Sequence, residues 1–363
     1  MSSPNVISAA GQARRIDVHQ HILPPLYRDY LQAQGISQLA GIPLPDWSPQ
    51  AALALMDANG IATAITSVPC SDLPFSDALT AAVFTRSCNA YSAKLMQSYP
   101  GRFGAFAYVP QQYVPQACVE VAHALDQLKF DGVLLSASSG GKFLGDPFFE
   151  PLLNTLDQRS ATVFVHSGVH PSSLELALDT PKAIIEMPCD ITRAAVNLIV
   201  TGAMERYPNI RWILANAGGF LPYVAWRVSL ANAMTEFSEL APQGILHYVR
   251  RFYFDTAQAA SRIPLVALRE LVAPQQILFG SDYPLASAEL TATQCQLLDQ
   301  SDLWSADVRA GIARNHALSL FPRFAEDEEY CAPVPPHRRE QPLARLKRQL
   351  TLPLRQLAAQ LRK

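Results

Sequence analysis

Eight short runs rich in β-branched and aromatic residues, most followed by a longer stretch of helical periodicity, leave this chain few folds to choose from. The runs are RIDVHQHI (15–22), TAITSVP (63–69), FGAFAYVP (103–110), DGVLLSAS (131–138), TVFVHSG (162–168), RWILANAG (211–218), FYFDTA (252–257) and ILFGSDYP (277–284). Helical segments such as 81–99 and 192–207 lie between them. Nearly continuous apolar strands separated by helices predict a parallel sheet covered on both faces. Eight such units in succession predict an α/β fold, a (β/α)8 TIM barrel. A doubly wound open sheet is the competing architecture, but no GxGxxG follows the first strand to support it.

The barrel is expected over residues 14–324, after an N-terminal extension of residues 1–13. An acidic cluster, a Pro-rich hinge and a basic cluster make 325–340 a linker. Residues 341–363 read as a basic amphipathic C-terminal helix, with Leu343, Leu346, Leu350, Leu354, Leu357 and Leu361 at helical spacing and Pro353 interrupting the stripe. That helix is expected to pack on the barrel or on a second subunit. The alternative is contact with an acidic partner or a membrane surface.

Composition narrows the function classes. A formal net charge of −2 gives no general attraction to nucleic acid. Cys70, Cys88, Cys118, Cys189, Cys295 and Cys331 form no CxxC pair, which fits a reduced, cytoplasmic protein better than a disulfide framework. No stretch reaches the ~20 apolar residues of a spanning helix, and no signal-peptide core is expected.

In a barrel, ligand-type residues at the C-terminal ends of strands converge on one mouth. His19 and His21 are two apart on the first strand and so share a face. His166 ends the fifth strand, and Asp282 ends the eighth, directly after ILFGS. Three histidines and a carboxylate suit a divalent metal ion, Zn²⁺ first and Mn²⁺ as the alternative, with a position left open for water or substrate.

The segments IDVHQHILPP, YPGRFGAFAYVP, FLGDPFFEPLLNTLDQRSATVFVH, DITRAAVNLIVTGAMERYPNIRWILANAGGFLPY, YFDTA and LFGSDYP resemble, in order, those of the aminocarboxymuconate-semialdehyde decarboxylase-like branch of the amidohydrolase superfamily. The resemblance covers residues 14–323. It implies a barrel, a metal held by His19, His21, His166 and Asp282, a small carboxylic acid substrate and a homodimer. Decarboxylation is the best-represented chemistry of that branch, with hydrolysis of lactones or amides as the other.

One position departs from the pattern. Where the family carries AHAGG, this chain reads ANAGG, so Asn216 replaces a histidine that orients or deprotonates water. An amide can hold an oxygen but has no proton affinity near neutral pH. Losing a general base costs a hydrolase ~10²–10⁴-fold. A decarboxylase of a hydroxylated aromatic acid, salicylate- or orsellinate-like, makes no such demand. The metal would chelate the carboxylate and the adjacent hydroxyl, and Asp282 would relay the proton. The first expectation is therefore a metal-dependent carboxy-lyase with Asp282 and Asn216 as catalytic residues. The alternatives are a hydrolase or lactonase on the same scaffold, and an impaired small-acid-binding barrel or engineered trap. Arg193, Arg227, His170 and Tyr283 are candidate substrate-binding residues, each also readable as structural. Asp255 reads as a supporting residue. The Gly-rich stretch 138–147 does not match a P-loop and is expected near the mouth.

Overall fold

The structure, a computed structural model, describes residues 14–69, 73–175 and 178–325. The N-terminal extension, the C-terminal helix and all but the first residue of the linker lie outside the described residues, as do Cys70 and Cys331. Eight parallel strands form one sheet in chain order: β1 (Arg15–His21), β2 (Ile61–Ser67), β3 (Phe103–Ala107), β4 (Gly132–Ser136), β5 (Thr162–His166), β6 (Arg211–Leu214), β7 (Tyr253–Asp255) and β8 (Ile277–Leu278). The ends of the sheet meet. The Val18 amide donates to the Phe279 carbonyl at 3.0 Å, the Asp282 amide to His19 at 2.7 Å and the His21 amide to Tyr283 at 2.6 Å. The result is a closed barrel, as the alternation of strands and helices predicts.

β1 shows why its residues form a strand buried on both sides. Ile16, Val18 and Ile22 share one face, Asp17, His19 and His21 the other, and all six are buried. Inside the barrel His19 rests edge-on against Phe164, with ring centroids 4.9 Å apart. Phe164 in turn stacks on Phe106 at 5.2 Å. An aromatic plug thus fills the space below the imidazoles and keeps the polar groups at one end.

The longer helices outside bury one stripe each. In the helix Ala78–Ser98, capped by the Asp77 carboxylate on the Thr80 amide, Ala81, Phe84, Cys88, Ser92 and Leu95 face inward. The periodic stretch 192–207 is not one helix: Glu186–Val200 ends before Gly202, whose φ of 74° breaks it from the short turn Ala203–Arg206. None of the helices among the described residues is long and apolar enough to cross a membrane.

The strands are shorter than their apolar runs. β6 stops at Leu214 because Asn216 and Ala217 take φ of 52° and 55°. β8 stops at Leu278, yet residues 279–284 remain buried. Mouth loops sunk in the protein carry the same apolar signature as strands, so the run does not mark where pairing ends. The stretch 138–147 contains a hairpin of Ser138–Ser139 with Lys142–Phe143, and a second hairpin pairs Gln38–Leu39 with Ile42–Pro43.

Close packing of β4 makes one glycine indispensable. A Cβ on Gly132 would run into the Thr162 carbonyl oxygen of β5 and sit 3.0 Å from the Phe106 ring. Gly132→Ala is expected to cost about 1–3 kcal/mol or more, as overpacking does. Urea unfolding should show a lower midpoint with an unchanged slope.

Candidate metal centre and catalytic mouth

His19 and His21 leave β1 on its inner face, His166 ends β5, and Asp282 enters from the loop after β8 at a φ of 63°. One ligand atom from each lies within 4.8 Å of the others. The three imidazole rings stand nearly perpendicular to one another, with centroids 4.8–5.1 Å apart. His19 Nε2 is 3.2 Å from His21 Nε2, and both are 3.2 Å from Asp282 Oδ1.

Outer partners turn these nitrogens inward. Asp255 Oδ2 accepts from His19 Nδ1 at 2.7 Å, Ser67 Oγ lies 3.0 Å from His21 Nδ1, and the Ser167 carbonyl is 3.2 Å from His166 Nδ1. With each Nδ1 facing an acceptor or a hydroxyl, the Nε2 lone pairs point into the cluster. Asp282 Oδ2 accepts from Gln258 Nε2 at 2.5 Å, whereas Asp282 Oδ1 is buried among the imidazoles and faces their Nε2 atoms. Acceptors converging this closely need a cation among them, a proton or a metal ion. This donor set, three imidazole nitrogens and one carboxylate oxygen, fits a divalent metal ion.

Without a metal, a proton serves as the cation. Burial alone lowers the His19 pKa, but Asp255 and Asp282 outweigh it and raise it to about 10. Burial lowers His21 and His166, so they are neutral. Asp282 is held well below the usual carboxylate range: burial opposes ionisation, and His19 and His21 prevail. Beneath the cluster, burial raises Asp17 to about 6, while Ser281 donates to it through Oγ at 2.6 Å.

The cluster forms part of the floor of a cavity of about 1190 Å³. His166, Asp282, Asn216, Gln258 and Ser138 supply polar lining, and Leu39, Ile42, Ile184, Met187, Phe220 and Leu285 supply apolar lining. Lys182 is the single lysine or arginine among the described residues that line it.

The remaining sequence candidates scatter. Asn216 is at the wall, its amide Nδ2 donating to the Ala257 carbonyl at 3.2 Å and its backbone N–H to Asp255 Oδ1 at 2.9 Å. Arg193 and Arg227 are exposed on their helices, apart from the cavity lining. His170 stacks on Phe143 at 4.7 Å, with Nδ1 near Ser172 Oγ and Nε2 near the Gly141 carbonyl, so it braces the hairpin. Tyr283 is buried in the core, and its carbonyl takes part in barrel closure. Sequence reasoning missed Ser67, Gln258 and Lys182. Only Ser67, at the end of β2, carried a positional signal.

A family model described as amidohydrolase matches residues 16–323. A 6-methylsalicylic acid decarboxylase of Penicillium expansum is 32% identical over 317 residues, covering 85% of this chain and 97% of that protein. The decarboxylase yanB of Aspergillus niger is also 32% identical, over 324 residues, covering 85% of this chain and 88% of the other. The crystal structure of an amidohydrolase superposes with a TM-score of 0.79 at 28% identity, covering 85% of this chain and 99% of that one.

Metal uptake should report the proton in the cluster. Only His19 is protonated at neutral pH in the metal-free cluster, and a metal ligand must be neutral. Loading Zn²⁺ or Mn²⁺ at pH 7 is expected to release about one proton per chain. Apparent affinity should rise roughly tenfold per pH unit up to the raised His19 pKa and fall as pH drops. Indicator-dye titration during loading measures both.

Proposed function

The chain belongs to the amidohydrolase family, and on that premise we propose that it is a metal-dependent decarboxylase of a hydroxylated aromatic carboxylic acid, salicylate- or orsellinate-like. The observation that carries this reading is the joint geometry of the mouth. Four acceptors converge on a cation position, and the neighbouring wall presents the Asn216 amide where hydrolysis calls for a base. The relative named a 6-methylsalicylic acid decarboxylase supports the substrate class. Apolar walls beside a polar floor suit a planar ring with one ionised end.

His19, His21, His166 and Asp282 would hold the ion. When bound, it supplies positive charge for the substrate carboxylate and the adjacent hydroxyl oxygen. Asp282, kept ionised, accepts the proton of that hydroxyl and delivers it to the ring carbon bearing the carboxylate. The carbon–carbon bond then breaks, its electron pair restores the aromatic ring, and CO₂ leaves a phenolate. Gln258 holds Oδ2 of Asp282 and so fixes which oxygen faces the imidazoles. Asn216, tied to Ala257, positions an oxygen and moves no proton. Lys182 provides the positive charge that draws an anionic acid to the mouth.

The reading extends to Zn²⁺ first and Mn²⁺ second as the ion, to a homodimer and to the cytoplasm. Free thiols at Cys88, Cys118, Cys189 and Cys295 support a reducing compartment. Exposed Tyr223, Trp226 and Leu230 on one outer face support association of two copies.

CO₂ release from a panel of 2-hydroxybenzoates by metal-loaded protein is the test. Activity should vanish with chelator and return with metal. Asp282→Asn should lose ~10²–10⁴-fold in kcat, the usual range for a proton-transfer group. Asn216→His should change turnover by less than about tenfold, since no base is missing. A gain of about a hundredfold or more would instead identify an impaired site. Ring-opened acid from a lactone, with no CO₂ from any hydroxybenzoate, would replace the decarboxylase with a hydrolase.

A further inference from the structure

Three of the four ligands sit within strands, but Asp282 lies on a loop, four residues past the end of β8. A carboxylate so placed turns about its own side chain unless groups outside the cluster fix it. Its backbone is fixed at both ends of one peptide. The Asp282 amide donates to the His19 carbonyl at 2.7 Å, and the Ser281 carbonyl accepts from Gln294 Nε2 at 3.1 Å. The Asp282 carbonyl then accepts from the Ala286 amide at 2.7 Å, turning the chain into the helix Ala288–Asp299. Gln294 is on the buried side of that helix, 2% exposed and set back from the cavity lining.

The carboxylate itself is fixed by the same side chain at one remove. Gln258 Nε2 donates to Asp282 Oδ2, which leaves Oδ1 facing the imidazole nitrogens. Gln258 needs support of its own, since it is exposed toward the cavity, in the loop after β7, at a φ of 54°. A long side chain on a strained, exposed residue loses much conformational freedom when it holds one position. The support is Gln294 Oε1, which accepts from the Gln258 backbone N–H at 2.5 Å. One buried carboxamide thus ties both loops around Asp282. Its oxygen holds the loop after β7, and its nitrogen holds the loop after β8.

This matters to an ion because a carboxylate can offer one oxygen or two. An oxygen engaged by an amide proton is turned away from a second metal bond. A one-oxygen ligand takes up a single coordination position and leaves more of the ion free for water or substrate.

We propose that Gln294 is a positioning residue of the metal centre: acting through Gln258, it keeps Oδ2 of Asp282 engaged and offers Oδ1 alone to the ion. Gln294 touches neither ion nor substrate. The proposal rests on the metal-binding half of the function above and is independent of the reaction assigned to it.

The test is the Mn²⁺ affinity of the full chain, read from the electron paramagnetic resonance signal of free Mn²⁺ during titration. Gln258→Met removes the donor at similar side-chain length and should weaken binding about tenfold or more, the usual effect of losing a partner behind a metal ligand. Gln294→Met should weaken it to a similar extent in the unaltered background. In the Gln258→Met background the same change should alter affinity by less than about twofold, because the link is already cut. Gln294→Asn, one methylene shorter and still polar, withdraws both contacts with less disturbance of the core and should behave alike. Equal losses at Gln294 in both backgrounds would make it a general support of the fold and overturn the proposal. So would an unchanged affinity in Gln258→Met, whose side chain lies at the cavity and outside the core. Mn²⁺ bound by the unaltered chain with an affinity indifferent to Gln258 removes the clamp and retains the metal centre; no Mn²⁺ bound by the unaltered chain removes both. CO₂ release is scored separately and bears on the decarboxylase reading alone.

Discussion

The seam between β8 and β1 is where the barrel closes and also where the metal centre is made. The His19 carbonyl accepts from the Asp282 amide, and the Tyr283 carbonyl accepts from the His21 amide. The same backbone bonds that remove the last sheet edge therefore place a carboxylate opposite two imidazoles. Below, Asp17 ties the two sides again, accepting from the His19 and Ser281 amides at 3.0 Å each. Precision at the centre comes from rigid main chain, which moves less than any side-chain contact. The aromatic plug of Phe164 and Phe106 then holds the imidazoles up against the mouth.

The backbone at the mouth is strained where function sits. Asn216, Gln258 and Asp282 adopt φ of 52°, 54° and 63°, a region that L-residues other than glycine enter at a cost of about 1–3 kcal/mol each. Each is held by a hydrogen bond at its own amide. Asp255 Oδ1 takes Asn216, Gln294 Oε1 takes Gln258, and the His19 carbonyl takes Asp282. Asp255 alone serves two such roles, since its other oxygen orients His19. A buried carboxylate shared by a ligand and a strained loop couples the metal centre to the Asn216 wall.

Much of the fold was legible because strand and helix periods differ, and β1 wrote two ligands into its period-2 pattern as His19 and His21. His166 was legible for the same reason, as the last residue of an apolar strand. Asp282 was another matter. It was read as the end of the eighth strand, whereas it lies four residues past the end of β8 in a left-handed conformation, in a buried loop whose apolar run continues the strand's. Asp255 was read as a supporting residue, but the other two that steer the ligands, Ser67 and Gln258, reach them from another strand and a loop. No local spacing encodes such contacts, and Gln258 or Lys182 alone reads like any surface residue. Conversely, His170 looked like a mouth residue by adjacency to His166, yet both its ring nitrogens are taken up in bracing a hairpin.

Asn216 can now be understood from its surroundings. A residue at φ of 52° with its backbone amide bound by Asp255 is one that asparagine fills more easily than most side chains. Its own amide is anchored on the Ala257 carbonyl. An asparagine held from both sides is a fixed part of the wall. The loop around it, from Leu214 to Gly219, is shaped by the same close approaches: a Cβ on Gly218 would press the Phe254 ring at 2.8 Å. The wall beside the cluster thus presents a neutral, oriented dipole. A centre built this way gathers three imidazoles and a carboxylate around one cation position, beside a wall that presents a neutral, oriented amide.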